Sequence, residues 1–460
     1  MGTGDITAQR GASRSEKALF KPREGACTRP DPPLPVGHAA WTNTPARAYS
    51  SPMKPDSDIL IIGGGLNGPA LALALAGAGL TVTIVDARAT ETRAEPGFDG
   101  RAYALALAST RVLQGVGVWP SLADQTQPIM GIRVSQGRPG EGAFPLMLGF
   151  DTAEIEEGPM GQMVEDRHLY AAFLHAMRDE PRITLKSGAR AIGEQVDGPF
   201  ARAVLEGGEE ITARLIVGCD GRDSAVASRA GIKRWGWDYG QTALVCAVAH
   251  EKPHQGIAHQ MFLPAGPLAI LPLPGNRSSV VLSERREVAE ALAGADADTW
   301  LEHLRPRFGS FLGDIMLEGA RFAYPLRLSV AEDFIAPRLA LVGDAAHGVH
   351  PIAGQGLNLG LRDVAALAEV LIDASRRGED IASTLVLERY QRWRRFDVIK
   401  LALGTDMVNR LFSNESGMLA ALRGLGLGAV NALPALRRSF IREAAGLNAA
   451  EPRLMRGQPL

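Results

Sequence analysis

Residues 58–68 read Asp-Ile-Leu-Ile-Ile-Gly-Gly-Gly-Leu-Asn-Gly, an apolar run that ends in a cluster of glycines. A helical pattern follows from residue 69 to about residue 78, and a second apolar run, 81–85, ends at Asp86. Short apolar runs bounded by glycine predict buried strands, so the order is strand, turn, helix and strand. This order is typical of the first unit of a doubly wound α/β domain that binds a dinucleotide.

The glycines and the terminal acid each have a physical role in such a unit. Gly63 allows a tight turn, Gly65 lets the backbone approach a pyrophosphate, and Gly68 lets the helix pack closely on the strand. The carboxylate of Asp86 can bind ribose hydroxyls, and it disfavours a 2′-phosphate at the same place. The unit therefore predicts either FAD or NAD at this site.

A second segment, residues 343–361, lies between an apolar run and a helical pattern and reads GDAAHGVHPIAGQGLNLGL in one-letter code. Asp344, at a predicted strand end, can accept hydrogen bonds from a ribityl chain. Backbone N–H groups near Gly356, Leu357 and Asn358 can face the pyrimidine edge of a flavin. A helix N-terminus favours the negative charge that reduced flavin carries there. The segment therefore predicts a flavin.

Three further segments carry residues that can reach such a cofactor but also have structural interpretations. Arg101 opens a predicted helix that runs to residue 113, and it can meet the cofactor or form a surface ion pair. Gln162 opens another predicted helix and is either a flavin contact or a helix cap. Asp220 and Gly221 end a predicted strand before a helix that starts near Ser224. They either organise a loop near the pyrophosphate or form a plain turn.

Composition excludes several classes of function. The 460 residues are 46% hydrophobic and 22% charged, which is typical of a globular protein with two or three domains. The net charge of −2 leaves no footprint for nucleic acid. Three cysteines are too few for a disulfide framework or a zinc site, and they fit a reducing intracellular setting. His347 and His350 precede Pro351 in a loop, so we expect no metal there, although either histidine can handle a proton.

The middle of the chain changes character. Alternating segments at 242–249, 259–263 and 280–283 predict antiparallel strands that interrupt the α/β pattern, which resumes near Ala340. We expect these strands to form a separate layer that holds a substrate against the cofactor.

The two ends of the chain differ from the rest. Residues 1–55 are rich in Pro, Gly, Ser, Thr and Arg, and we interpret them as a disordered tail or an over-extended start before Met53. An organelle presequence is the alternative, and the acidic residues in the segment disfavour it. Residues 411–460 are predicted to be helical. A basic amphipathic pattern at 418–436 either lies on anionic lipid or caps the fold, and it follows three arginines: Arg392, Arg394 and Arg395.

The glycine triplet, Arg101, Asp220-Gly221 and Gly343-Asp344, in this order, resemble the class A flavoprotein aromatic hydroxylases, whose type member is para-hydroxybenzoate hydroxylase. The resemblance covers about residues 56–415. It implies that Asp344 holds the FAD ribityl chain and that Asp220-Gly221 serve both FAD and a nicotinamide. The residues expected to bind FAD are Gly63, Gly65, Gly68, Asp86, Arg101, Gln162, Asp220, Gly221, Asp344, Pro351, Gly354, Gly356, Leu357 and Asn358.

Other segments look like the ubiquinone-biosynthesis hydroxylases, which act on polyprenyl phenols. These segments are 99–105, 238–241, 266–273 and 351–358. The resemblance implies a fold of the α/β class: a Rossmann-like FAD-binding domain assembled from 56–135, 160–235 and 335–410. An inserted antiparallel-β substrate domain would comprise 136–159 and 236–334, and a helical C-terminus would follow.

The resemblance also implies an activity. It is ring hydroxylation of a polyprenyl phenol with O₂ and NAD(P)H through a flavin C4a-hydroperoxide, with no catalytic residue assigned beyond the candidates His347 and His350. It implies a ubiquinone-biosynthesis protein complex as a partner, and a cytoplasmic location with peripheral contact at the inner membrane; the mitochondrial matrix is a minor alternative. A hydroxylase of another aromatic compound and a non-catalytic flavin-fold scaffold stay open as alternatives.

Overall fold

A computed structural model describes residues 54–93, 97–143, 148–154, 158–412, 442, 445–447 and 451–460. Its strands in chain order are β1 (Ser57–Ile62), β2 (Val82–Asp86), β3 (Ala102–Ala106), β4 (Thr126–Ile129), β5 (Gly131–Arg138), β6 (Gly142–Ala143), β7 (Leu148–Asp151), β8 (Gly161–Glu165), β9 (Ile183–Ser187), β10 (Ala191–Asp197), β11 (Phe200–Leu205), β12 (Glu210–Gly218), β13 (Arg234–His250), β14 (Ile257–Leu263), β15 (Gly266–Leu273), β16 (Arg277–Arg285), β17 (Ile315–Ala331), β18 (Ile335–Ala336), β19 (Leu339–Leu341) and β20 (His347–Gly348). Its helices are α1 (Asn67–Gly77), α2 (Thr90–Arg93), α3 (Leu107–Gly115), α4 (Asp166–Arg178), α5 (Ala225–Arg229), α6 (Arg286–Ala293), α7 (Ala297–Phe308), α8 (Gln355–Arg376) and α9 (Thr384–Phe412).

The apolar run at 58–62 becomes a central strand of a mostly parallel sheet. In the described part of the chain this sheet has eight strands, and its main path runs β10-β11-β12-β1-β2-β9. β1 pairs in parallel with β2 and β12, and β19 pairs in parallel with β12 on the side away from β1. The carboxyl ends of β1, β2, β12 and β19 therefore meet at one edge, which is where ligands bind in open α/β sheets.

The second sheet has nine described strands in the main order β20-β17-β13-β16-β15-β14-β5-β6, with β7 paired to β5. Most of its pairs are antiparallel, whereas β14 pairs with β5 in parallel. Its own core is a buried cluster with α6 and α7 that includes Leu244, Trp300 and Phe308. β20 joins this sheet to the segment that begins at Gly343. The α/β class with an antiparallel sheet built between its parts is confirmed, whereas the exact domain boundaries stay a prediction.

The third sheet, β3-β8-β4, corrects two sequence-based predictions. Residues 102–106 and 161–165 were predicted to open helices, but they are paired antiparallel strands, and the helices begin at Leu107 and Asp166. The alanine- and leucine-rich local sequence favours a helix, and pairing with a strand distant in sequence overrides that preference. A side chain at Gly161 would collide with the carbonyl oxygen of Leu105, so the two strands approach each other closely.

The three arginines that precede the predicted amphipathic pattern differ in exposure. Arg394 is 1% exposed and pairs with Asp363, while Arg392 and Arg395 are exposed. The predictions for the N-terminal segment up to Met53 and for the amphipathic pattern at 418–436 lie outside the described residues. Among the described helices, none has the length and apolar character needed to cross a bilayer.

Candidate cofactor-binding site

In the glycine loop after β1, Gly63 and Gly68 have no room for a side chain, whereas Gly65 does. Gly63 has φ +111°, and a side chain there would collide with the carbonyl oxygen of Cys219. A side chain at Gly68 would collide with the carbonyl oxygen of Gly63, because α1 packs directly against the turn. In the described part of the chain, a Cβ at Gly65 would have Arg93 alone within reach, with Nη1 4.0 Å away. The face of Gly65 is therefore open to a ligand, as the approach of a pyrophosphate requires.

Asp86 lies at the end of β2, against this loop. Its Oδ1 accepts a hydrogen bond from the backbone N–H of Arg88 at 2.8 Å. A Cβ at Gly64 would lie 2.6 Å from its Oδ2, so the carboxylate touches the glycine loop. This is the placement expected of an acid that binds ribose hydroxyls.

Asp344 follows β19 in a turn that packs against the same loop. A side chain at Gly343 would collide with the Asn67 amide, and Gly360 of α8 crowds that amide from the other side. The carboxylate of Asp344 is 38% exposed, and the nearest cation in the described chain is Arg222, at 3.7 Å. Its oxygens are thus available to accept hydrogen bonds from a ribityl chain. Sequence reasoning missed Asn67, although it lies inside the glycine motif.

The N-terminus of α8 is held in place by Asn358. The Asn358 Oδ1 accepts hydrogen bonds from Ala106 N–H at 2.8 Å and from Ser109 Oγ at 2.7 Å, and its Nδ2 donates to Ala104 O at 2.8 Å. The side chain of Asn358 therefore ties α8 to the β3–α3 junction. What it can offer a flavin is the position of the backbone N–H groups.

The junction between this loop and α8 is open at Gly356. Gly354 has φ +63°, and its N–H donates to Pro351 O at 3.0 Å. Among the described residues, no side chain caps the helix and no atom lies within 4 Å of a Cβ placed at Gly356. The N-terminus at Gly356 and Leu357 is therefore accessible to a partly negative group.

Asp166, which sequence reasoning missed, positions two arginines beside these loops. Its carboxylate is 2% exposed, lies 3.3 Å from Arg101 and 3.6 Å from Arg93, and accepts a hydrogen bond from Tyr103 Oη at 2.9 Å. Arg101 also pairs with Asp99 at 2.6 Å. Burial would lower the pKa of Arg101, but Asp99 and Asp166 raise it above its usual value.

Arg93 is the residue of this group with unused hydrogen-bonding capacity. Its guanidinium stacks on Tyr170 at 4.2 Å, its side chain is 11% exposed, and its buried Nε has no partner in the described structure. Because its Nη1 faces Gly65, the guanidinium can meet a phosphate oxygen at the open glycine.

Two predicted cofactor residues have protein partners of their own. Gln162 lies within β8, not at a helix cap, and its Oε1 accepts from Thr126 Oγ1 at 3.1 Å. Asp220 accepts from Ser224 Oγ at 2.6 Å and from Val226 N–H at 3.0 Å, so its carboxylate caps α5. Gly221 follows with φ +86°, and a Cβ there would meet no described atom within 4 Å. The assignment of these residues to FAD stays a prediction.

His347 has a structural environment. Its Nε2 lies 2.5 Å from Oδ2 of Asp363, a carboxylate that is fully buried. Asp363 also accepts from Gly343 N–H at 2.9 Å and from Arg394 Nε at 2.7 Å. Burial opposes ionisation of Asp363, but the charges of His347 and Arg394 lower its pKa below the usual value. The Asp363 carboxylate thus joins α8, α9 and the turn that carries Asp344.

His350 has the opposite environment. It is 1% exposed, and neither ring nitrogen has a hydrogen-bond partner in the described structure. Burial lowers its pKa to about 4, although the charge of Asp406 opposes that shift. Among the described residues, no group of three or more His, Cys, Asp or Glu side chains is arranged to hold a metal ion.

Comparison with known proteins agrees with this geometry. The sequence profile of the FAD binding domain family matches residues 56–401. The chain belongs to this family. Its cofactor is FAD, and the open glycine, the accessible Asp344 carboxylate and the uncapped α8 N-terminus fit that group.

Relatives of this FAD-binding family member cover nearly its whole length. Ubiquinone hydroxylase UbiL of Rhodospirillum rubrum is 46% identical over 407 residues, which is 88% of this chain and 94% of the relative. The 3-demethoxyubiquinol 3-hydroxylase of Escherichia coli is 36% identical over 85% of this chain and 99% of its own. The crystal structure of p-nitrophenol 4-monooxygenase PnpA from Pseudomonas putida superposes with a TM-score of 0.71 at 19% identity, over 85% of this chain and 99% of that one.

Proposed function

We propose that this protein is an FAD-dependent monooxygenase that hydroxylates the aromatic ring of a polyprenyl phenol in ubiquinone biosynthesis. The observation that carries the proposal is the likeness to a ubiquinone hydroxylase over almost the whole of both chains. The open face of Gly65, the accessible Asp344 carboxylate and the α8 N-terminus support the proposal. FAD, when bound, supplies the activation of O₂ and the transfer of one oxygen atom to the ring.

In this proposal the residues of this chain bind FAD, orient the substrate and shield the reacting ring from water. Gly65 and Arg93 would bind the pyrophosphate, Asp86 the adenosine ribose, and Asp344 the ribityl chain. The nine-stranded sheet would cover the reacting ring and exclude water, which protects a reactive oxygen species from decay. A nicotinamide nucleotide is the electron donor in this proposal; anaerobic bleaching of the flavin absorbance by NADH or NADPH tests it.

The decisive experiment is quinone profiling of a strain that lacks the gene. We expect ubiquinone to fall and one polyprenyl phenol to accumulate, and the missing hydroxyl of that phenol identifies the ring position. The wild-type gene should restore ubiquinone, whereas Asp344→Ala should not. Normal ubiquinone in the deletion strain would overturn the proposal in favour of another aromatic substrate. Rescue by a variant that holds no flavin would favour a scaffold role.

We also propose that the protein contacts anionic lipid, because its substrate would carry a polyprenyl tail. The support comes from one face of α9, where large apolar side chains recur at helical spacing. Phe396, Leu403 and Met407 are 77%, 50% and 69% exposed. Exposed cationic residues lie along the same helix: Arg392, Arg395, Lys400 and Arg410. A basic, apolar helix face is typical of helices that lie in a membrane interface.

Flotation with vesicles tests the lipid contact. The protein should float with vesicles that contain phosphatidylglycerol and not with pure phosphatidylcholine. The double variant F396S/M407S should lose flotation. Leu385→Ser is the matched control, since Leu385 is 73% exposed at the other end of α9. Equal flotation of all forms would refute this surface. The proposed location is the cytoplasmic face of the inner membrane, and the matrix is the alternative because the rat relative is named as mitochondrial.

A further inference from the structure

His350 lies where the flavin-binding segment meets the nine-stranded sheet. It directly precedes Pro351 in the loop between Asp344 and α8. A side chain that is 1% exposed with two unpartnered nitrogens is unusual, because a buried polar group without a hydrogen bond is destabilising. Positions that accept this cost are candidates for ligand contact.

A distortion of β13 brings an aromatic ring against this imidazole. The register of β13 against β17 shifts between Asp238 and Gln241, so Tyr239 and Gly240 form a bulge. Bulges re-aim side chains and occur next to active sites. The Tyr239 ring packs edge-on to His350, with centroids 5.0 Å apart and an interplanar angle of 79°.

The charged group with the largest effect on this pair comes from α9. Asp406 is 8% exposed, accepts a hydrogen bond from Trp237 Nε1 at 3.0 Å and pairs with Arg410 at 3.0 Å. Burial, followed by the charge of Asp406, raises the pKa of Tyr239 above its usual value. The Tyr239 ring of β13 therefore packs against His350, and the charge of Asp406 on α9 acts on both residues.

A cleft of about 610 Å³ borders the bulge. Tyr239 is part of its wall, together with residues of β13, the β14–β15 turn, the end of β16 and the end of α9: Trp237, Gln241, Ala265, Arg285, Asn409 and Arg410. Tyr239 therefore contacts both this cleft and His350. A ring that entered past Tyr239 would reach an imidazole beside the loop that seats the flavin.

We propose that His350 binds the ring hydroxyl of the substrate, accepting a hydrogen bond from it at one neutral ring nitrogen. This inference rests on the proposed function, since it requires a phenolic substrate. The contact would fix which ring carbon faces the flavin. The proton stays on the phenol oxygen, because the pKa of His350, about 4, lies far below the pKa of a phenol, about 10. His350 is therefore a substrate-binding residue and not a general base.

The test compares two probes on the FAD-loaded protein: 2-prenylphenol and its methyl ether, which has the same shape but no hydroxyl hydrogen. Perturbation of the flavin absorbance reports binding of each. The wild-type protein should prefer the phenol. His350→Phe keeps a ring against Tyr239 but removes both nitrogens, and it should weaken phenol binding about tenfold while ether binding is unchanged. His175→Leu, at a histidine whose side chain is 73% exposed, is the matched control and should change neither.

The outcomes separate this inference from the proposed function. If the wild-type protein binds no phenol, both fall. If it binds phenol and ether equally, or if His350→Phe weakens both equally, only the role of His350 falls. Should His350→Phe lose FAD, His350→Asn replaces it. The shorter Asn side chain places its acceptor oxygen farther from the substrate, so the preference for the phenol over the ether should fall about threefold. An unchanged preference would overturn the inference.

Discussion

Replacing Asp363 by asparagine should destabilise the fold and weaken FAD binding together. The carboxylate is 0% exposed and meets His347, Arg394 and the N–H of Gly343. Breaking a buried ion pair by neutralising one partner costs about 3–5 kcal/mol. Arg394 keeps Asp397 at 2.5 Å, so the loss should lie near the lower end, at about 3 kcal/mol.

This free energy converts into a measurable shift of the unfolding temperature. A folded unit that runs from Lys54 to Leu460 has an unfolding entropy of about 0.8 kcal/mol per kelvin, from about 2.1 cal/mol/K per residue. A loss of about 3 kcal/mol therefore lowers the apparent Tm by about 4 °C. FAD binding should weaken as well, because Asp363 holds the Gly343 turn that carries Asp344. The assays are thermal unfolding followed by circular dichroism, and flavin fluorescence quenching on titration of the apoprotein.

Asp373→Asn on the same helix is the matched control. Asp373 is 36% exposed and pairs with Arg453 at 2.6 Å, and an exposed pair contributes below about 1 kcal/mol. If Asp363→Asn lowered Tm no more than Asp373→Asn, the reasoning would be refuted. The Asp363 carboxylate would then not be the group that holds His347 and the Asp344 turn.

Three further outcomes are expected. Gly65→Ala should leave the fold intact but lower FAD affinity at least tenfold, because the new methyl group points into the open face. Gly68→Ala should reduce the yield of folded protein, because its methyl group collides with the turn at Gly63, and a folded, flavin-binding Gly68→Ala would contradict this. Arg93→Met should keep a side chain packed on Tyr170 and weaken FAD binding about tenfold. An unchanged Kd for FAD in fluorescence titration would exclude Arg93 from the site. The pKa of His350 is about 4 in the folded chain against 6.5 unfolded, so its contribution to stability is complete above pH 6.5 and is lost as the pH falls towards 4, by up to about 3 kcal/mol. In urea unfolding between pH 7 and 4, the free energy of unfolding should therefore fall less for His350→Asn than for the wild type, and an equal fall for both would count against a neutral buried His350.

The sequence predicted the parts of the site that depend on backbone geometry. The strand, turn and helix N-terminus around Gly63, Gly65 and Gly68 could be predicted from the spacing of these glycines. That these glycines, Asp86 and Asp344 bind FAD stays a prediction. The helix predicted to open at Arg101 was wrong, because β3 exists only through pairing with β8, far away in the chain. No local pattern reports such a pairing.

The carboxylates that organise the site were not identified. Asp166 collects Arg93, Arg101 and Tyr103, and Asp363 collects His347, Arg394 and the Gly343 N–H. Each carboxylate gathers partners from several elements. An aspartate in a helical sequence looks like any exposed acid until the fold has buried it. The one available signal was that both lie beside the motifs already recognised.

The sequence by itself determined the fold class and the cofactor, because glycine positions and strand-terminal acids act through local backbone conformation. The relation of each polar side chain to its partners was decided by the tertiary structure. It made His347 part of a buried ion-pair cluster and left His350, three residues later, without a partner beside Tyr239. The physical reason is that burial and charge pairing depend on what packs around a residue, and those neighbours come from β13, α8 and α9, which are far apart in the chain.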